Sequence, residues 1–188
     1  MIGYWISGAT NMHMWRHGLI ALSALMALCL SPATAVADDF DTCEKESGDV
    51  AIAACTRGIA SGKYKGDKLA VLYNDRGVEY ANKGDRDRSI ADLDQAIKLK
   101  PDYPEAYSNR GDAWRIKGDL VRAMADLDKS IELNPKSASP YYNRGLTWEA
   151  QKDWQNALTD FKKFSELAPK DPDGPKAVAR VTKAMGGK

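Results

Sequence analysis

The sequence predicts an all-α fold, a stack of antiparallel helix pairs. Three observations carry that expectation. Shifted by 34 residues, the chain aligns with itself over three spans, 70–103, 104–137 and 138–171. Within each span apolar and small residues recur at threes and fours, the period of a helix with one buried face. Pro101, Pro135 and Pro169 close the spans in one column, where a helix must stop.

The first 37 residues differ in character from the rest. Arg16 and His17 precede the apolar run "LIALSALMALCL", and Ala35-Val36-Ala37 follow as small residues before a cleavage point. A basic start, a short apolar stretch and an A-x-A site form the pattern of a secretory signal peptide. The run is short for a membrane span, so a cleaved signal is the first reading and a retained anchor the second. The expected location is exported, periplasmic or secreted. Met14 offers a second possible start.

Removal of 1–37 takes one arginine and no acid, leaving 26 basic against 26 acidic side chains. A neutral chain has no electrostatic reason to bind nucleic acid or an anionic membrane. The cut also takes His13 and His17, the only histidines. Histidine triads, histidine general bases and most zinc sites are thereby excluded, and no metal or cofactor is expected.

Residues 38–66 read as a short helical hairpin turning at Ser47-Gly48-Asp49. Cys43 and Cys55 lie on either side of that turn. In an exported protein an even pair reads as a disulfide, worth about 3 kcal/mol in the chain-entropy view of so small a loop. The alternative is two buried free thiols. A redox-active pair is disfavoured by the lack of a CxxC spacing.

The repeats follow. In the second copy, "PEAYSNRGDAWRIKG" is a helix with Ala106, Tyr107, Gly111 and Trp114 at threes and fours. Gly118 ends it, and Asp119 caps the next helix by accepting a backbone N–H. "DLVRAMADLDKSIELN" is the partner helix, with Ala123, Leu127, Ser130 and Ile131 on one face. Gly111 and Ala123 are small where the two must approach closely. One such pair cannot cover its own apolar faces, and stacking supplies the core. Residues 172–188 read as a capping helix and tail, with Ala177, Val178, Val181 and Met185 inward.

Matched columns of aromatic, glycine, aromatic, small residue, large apolar residue and proline at a 34-residue period resemble the tetratricopeptide repeat family. The likeness covers three units over 67–171 and is similar to that of small exported bacterial members. It implies a right-handed superhelical stack with a concave groove lined by the first helix of each unit.

Two columns depart from the family. Arg76, Arg110 and Arg144 stand where the family usually has leucine, and Asp92, Asp126 and Asp160 stand where it usually has an aromatic or another residue. Both departures occur in every copy. The expected reading is an Arg–Asp ladder within or between repeats, since the planar guanidinium suits a half-buried carboxylate. A row of arginines for an acidic ligand is the alternative. The further acids Asp94 and Asp128 are read as part of a solvated face.

For function, the resemblance points to the groove. Asn74, Asn109, Asp112, Tyr142 and Asn143 are the candidate contacts for a protein or peptide partner, the asparagines because an amide both donates and accepts. The alternative for them is to tie neighbouring turns. The family's chaperone-tail clamp has Lys and Asn in its first unit, Asn in its second, Lys and Arg in its third. Here Asn109 fits, but Asn74, Val78, Ser139 and Asn143 replace the rest. The expectation is a non-catalytic interaction module of the cell envelope. Its rivals are a carboxylate- or lysine-based enzyme, or enzyme subunit, and a self-assembling envelope scaffold.

Overall fold

The structure, a computed structural model, describes residues 38–187. The leader reading of 1–37 lies outside the described residues. Nine α-helices follow in order among them: α1 (Asp39–Lys45), α2 (Gly48–Ala60), α3 (Gly66–Asn82), α4 (Arg86–Leu99), α5 (Pro104–Lys117), α6 (Leu120–Leu133), α7 (Ser139–Ala150), α8 (Trp154–Leu167) and α9 (Asp173–Gly186). Each helix packs on the next in sequence, so the chain is a continuous stack of helix pairs.

The local chemistry of the pairs repeats. Asp85, Asp119 and Asp153 cap α4, α6 and α8 by accepting the backbone N–H of Arg88, Arg122 and Asn156 at 3.0–3.1 Å. The two capped arginines also lie over an aromatic ring in the last turn of the preceding helix, Arg88 at 4.4 Å from the Tyr80 centroid and Arg122 at 3.6 Å from that of Trp114. Gly118 takes the left-handed conformation at φ 85° that glycine adopts without a Cβ penalty. Lys152 holds the same turn in the third unit at φ 62°.

Within each pair the two helices nearly touch. A Cβ on Gly111 would lie 2.8 Å from Leu127 Cγ, and one on Gly145 2.7 Å from the Phe161 ring. Leu93, Leu127 and Phe161, all fully buried, occupy the space those glycines leave. Any side chain in the glycine column would force the pair apart.

The N-terminal hairpin has its own small core. Cys43 and Cys55 are bonded, with Cα atoms 4.9 Å apart. They pack with Ala54, Tyr64 and Leu72, and Phe40 covers the cluster. Tyr64 donates its hydroxyl hydrogen to Asp38. That bond, with Lys63 beside it, holds the Asp38 carboxyl down from 3.8 to about 2. α1 is only two turns long, too short to persist alone, and these links fix it.

At the other end Ala177 and Val181 of α9 are fully buried against α8. Val178 is half-buried, but Met185 is exposed rather than inward. It lies in the last turn of α9 and overhangs the shallow depression around Trp154.

Candidate functional site on the inner helix face

The Tyr-x-x-Arg-Gly stretch of α3, α5 and α7 is a single packing unit. Arg110 donates from Nε and Nη2 to the two oxygens of Asp126, at 2.8 and 2.7 Å. Arg76 meets Asp92 in the same fork at 2.7 and 2.8 Å, and Arg144 meets Asp160 at 2.8 and 2.9 Å. Each guanidinium also lies 5.6–5.7 Å from the ring of its own tyrosine, Tyr73, Tyr107 or Tyr141. The glycine that follows lets the second helix come close enough to bring its aspartate to the arginine.

The third arm of the fork crosses to the preceding unit. Arg110 Nη1 donates to Asp94 at 2.6 Å, and Arg144 Nη1 to Asp128 at 2.7 Å. Arg76 has the hydroxyl of Thr56 instead, at 3.0 Å. The bidentate partners are shielded, with side-chain exposures of 20% for Arg110 and 10% for Asp126, whereas Asp94 is 50% exposed. Burial pulls the Arg110 guanidinium down, but Asp126 and Asp94 together hold it above its ordinary value. At Arg144 the bonds from Asp160 dominate and raise it, against burial.

Sequence reading missed Asp94, Asp128 and Thr56 as ladder members. A signal was present. The column of Asp94 and Asp128 continues to Lys162, and the arginine column continues to Val178. Acid and arginine are lost together at the last helix.

The first helices of successive pairs also touch one another, α3 with α5 and α5 with α7. That is the tighter, inner side of the stack, and it carries the predicted contact residues. Asn74 is buried. Its Nδ2 donates to Asp75 at 3.0 Å, and its Oδ1 accepts from Asn109 Nδ2 at 3.0 Å. Asn143 Nδ2 reaches the buried Ser108 hydroxyl at 3.5 Å. The asparagines thus bond across adjacent units, and Asn74 has no face left for a ligand. Asp112 accepts from Arg115 at 2.6 and 3.0 Å. Tyr142 packs its ring against Phe161 and Phe164, with centroids 5.5 and 4.8 Å away.

What remains open on this side is Glu105 and Ser139, exposed in one column at the starts of α5 and α7, and the partly exposed Asn109, Asp112 and Asn143. Asp75 is half-buried beside them. Burial pushes its carboxyl up against the pull of the Asn74 amide, and Glu44 and Glu79 add to the rise. Among the described residues no group of three His, Cys, Asp or Glu is placed to hold a metal, and no helix is long and apolar enough to cross a membrane.

Two sequence models of the tetratricopeptide repeat match the chain, one over residues 74–138 and one over 114–182. Together they span more than half of it. Among curated proteins none matches. Solved structures share the fold. The first TPR of Spaghetti (RPAP3) bound to HSP90 peptide SRMEEVD superposes with a TM-score of 0.62 at 21% identity, over 67% of this chain and 100% of that one. The Sgt2 TPR domain from Aspergillus fumigatus gives 0.61 at 17%, over 65% and 82%. The MamA protein gives 0.62 at 21%, over 73% of each.

Proposed function

The chain belongs to the tetratricopeptide repeat family, and from that premise we propose that it is an exported, non-catalytic interaction module which holds a protein or peptide segment along the inner side of α3, α5 and α7. The observation that carries this reading is the division of labour among its polar residues. The carboxylates an enzyme would need, Asp92, Asp94, Asp126, Asp128 and Asp160, are held by arginines. The inner side keeps an exposed carboxylate and hydroxyl, Glu105 and Ser139, beside part-exposed amides. Such groups suit an extended backbone. A neighbour of the same fold bound to a peptide supports a peptide as the kind of partner.

The acidic tail in that neighbour is not the expected partner here. Val78, Ser139 and Asn143 supply none of the cations a terminal carboxylate needs. The test uses exposed residues, because losing the Asn109 amide would leave buried Asn74 without its donor. Crosslinking capture from native extract should retain a defined partner with the wild-type chain and lose it with Glu105→Arg plus Ser139→Arg, at unchanged melting. Retention by the double variant places the binding surface elsewhere.

A further inference from the structure

The acids of the ladder and of the outer helices are paired with arginine or lysine. Among the described residues Glu44, Asp75, Glu79 and Glu105 have no such partner. Asp75 accepts only the Asn74 amide at 3.0 Å, and Glu79 the backbone N–H of Gly48 at 2.8 Å. Glu44 and Glu105 are exposed. The four come from α1, α3 and α5, and α3 packs on both of the others. They lie close together, since Glu44 and Glu79 add to the upward push that burial gives the Asp75 carboxyl. Neighbouring cations are engaged elsewhere. Lys45 pairs with Asp41, Lys100 with Asp67 and Arg115 with Asp112, and Lys68 lies over the Phe40 ring.

A second observation points to the same place. Tyr103 is only 9% exposed, its ring packed in the core with Ala70 and Ala106 and against Val71, one turn before Asp75. The other buried tyrosines, Tyr64 and Tyr141, each bond their hydroxyl to Asp38 or to the Pro135 carbonyl. The Tyr103 hydroxyl has no hydrogen-bond partner among the described residues, although polar groups so shielded are normally bonded. It faces acids instead. Burial pushes the phenol up, and Asp75, Glu105 and Glu44 push it further. The phenol therefore stays neutral, with an oxygen free to accept beside three carboxylates. Among the described residues no three acids are placed to share a metal ion. An ammonium or guanidinium brings several N–H donors on a long stem and can reach groups spaced more widely.

On the premise that α3, α5 and α7 hold a peptide, we propose that the bound segment is basic, and that one of its cationic side chains seats among Glu44, Asp75 and Glu105 against the Tyr103 hydroxyl. A cation there gives the hydroxyl its missing donor and offsets the mutual repulsion of the acids. Unpaired acids gathered on one side also draw a basic segment from solution, and salt weakens that attraction.

Fluorescence anisotropy of labelled hexalysine with the natively expressed protein tests the charge. The peptide should bind, and Asp75→Asn with Glu105→Gln should weaken it about tenfold. Glu132→Gln with Glu166→Gln removes the same charge from the outer helices and should bind as the wild type does. Tyr103→Phe removes only the hydroxyl and should weaken binding about threefold at undiminished melting. Exposed Glu44→Gln gives a route that leaves the packing of α3 and α5 untouched, and it too should weaken binding. Hexalysine that does not bind overturns the proposal, as does equal weakening by the outer pair or wild-type affinity in Tyr103→Phe. The inner-side reading fails separately. It falls if the partner captured from extract survives Glu105→Arg plus Ser139→Arg, whereas loss of that partner together with no hexalysine binding upholds the surface and rejects the basic segment.

Discussion

Arg76 and Arg110 occupy the same column, yet they cross to the preceding unit on different chemistry. Arg110 crosses on a charge, Asp94, sixteen residues back. Arg76 crosses on a neutral hydroxyl, Thr56, twenty residues back. The four extra residues mark where the hairpin of α1 and α2 joins the stack out of register with the repeats. There the disulfide and the Phe40 cluster hold the unit together instead. At the far end the column reads Lys162 and Val178, and no ladder forms. The difference separates two jobs of one arginine. The fork to Asp92, Asp126 or Asp160 closes a pair and is present in each unit. The third arm fixes one pair on another, and only between true repeats does it end on a charge.

The largest expected effect breaks the first job. Arg110→Ala strands the shielded Asp126 and should cost about 3–5 kcal/mol, the usual consequence of removing one partner of a buried pair. Arg76→Ala strands Asp92 in the same way and should cost nearly as much. Its shortfall relative to Arg110→Ala should be about 0.2–1 kcal/mol, because the arm to Asp94 is half-exposed and worth only what a surface pair contributes. Urea unfolding of the two variants side by side gives both numbers.

A second comparison lies in the turns. Gly84 and Gly118 take a left-handed backbone that Lys152 must copy with a side chain. That conformation costs a residue with a Cβ about 1 kcal/mol. Lys152→Gly should therefore stabilise the third unit by about that amount, whereas Gly118→Lys should destabilise the second by the same. Equal melting for both variants and the wild type would show the turns to be unstrained.

The smallest effect sharpens the opening contrast. Thr56→Asp offers Arg76 the charge that Arg110 already has, and should add about 0.2–1 kcal/mol, lost in high salt. A gain of that size shows that the N-terminal junction differs from the others in one acceptor. No gain at low salt shows that the four-residue offset also misdirects the arm.

Much of this was legible beforehand because a repeat aligns its own chemistry. The Tyr, Arg, Gly and Asp columns named both members of each fork before any coordinates. The glycine column marked the close approach, and Asp119 the cap. Other features depend on how units are offset in space, which spacing along the chain does not carry. Asp92 and Asp94 are two residues apart on one helix, and only the docking of α5 decides that Asp94 serves the next unit. Asn74, a groove candidate by column, is consumed by Asn109 and Asp75 because α3 and α5 approach closely there. Met185 follows the buried period of α9 but lies in its last turn, at the rim of the depression around Trp154.

The central claim is that the arginine and aspartate columns act as one structural pair. A double-mutant cycle on Arg110→Leu and Asp126→Phe measures it most directly, by urea unfolding of the wild type, the two single variants and the double. Each single change leaves one charge shielded and unpaired, while the double restores the apolar chemistry more usual in the family at the arginine position. Each single variant should lose about 3 kcal/mol, with the double recovering most of that and the coupling reaching about 2–3 kcal/mol. Losses that simply add would show that the two side chains do not depend on each other, and the ladder would not be what holds the pairs together.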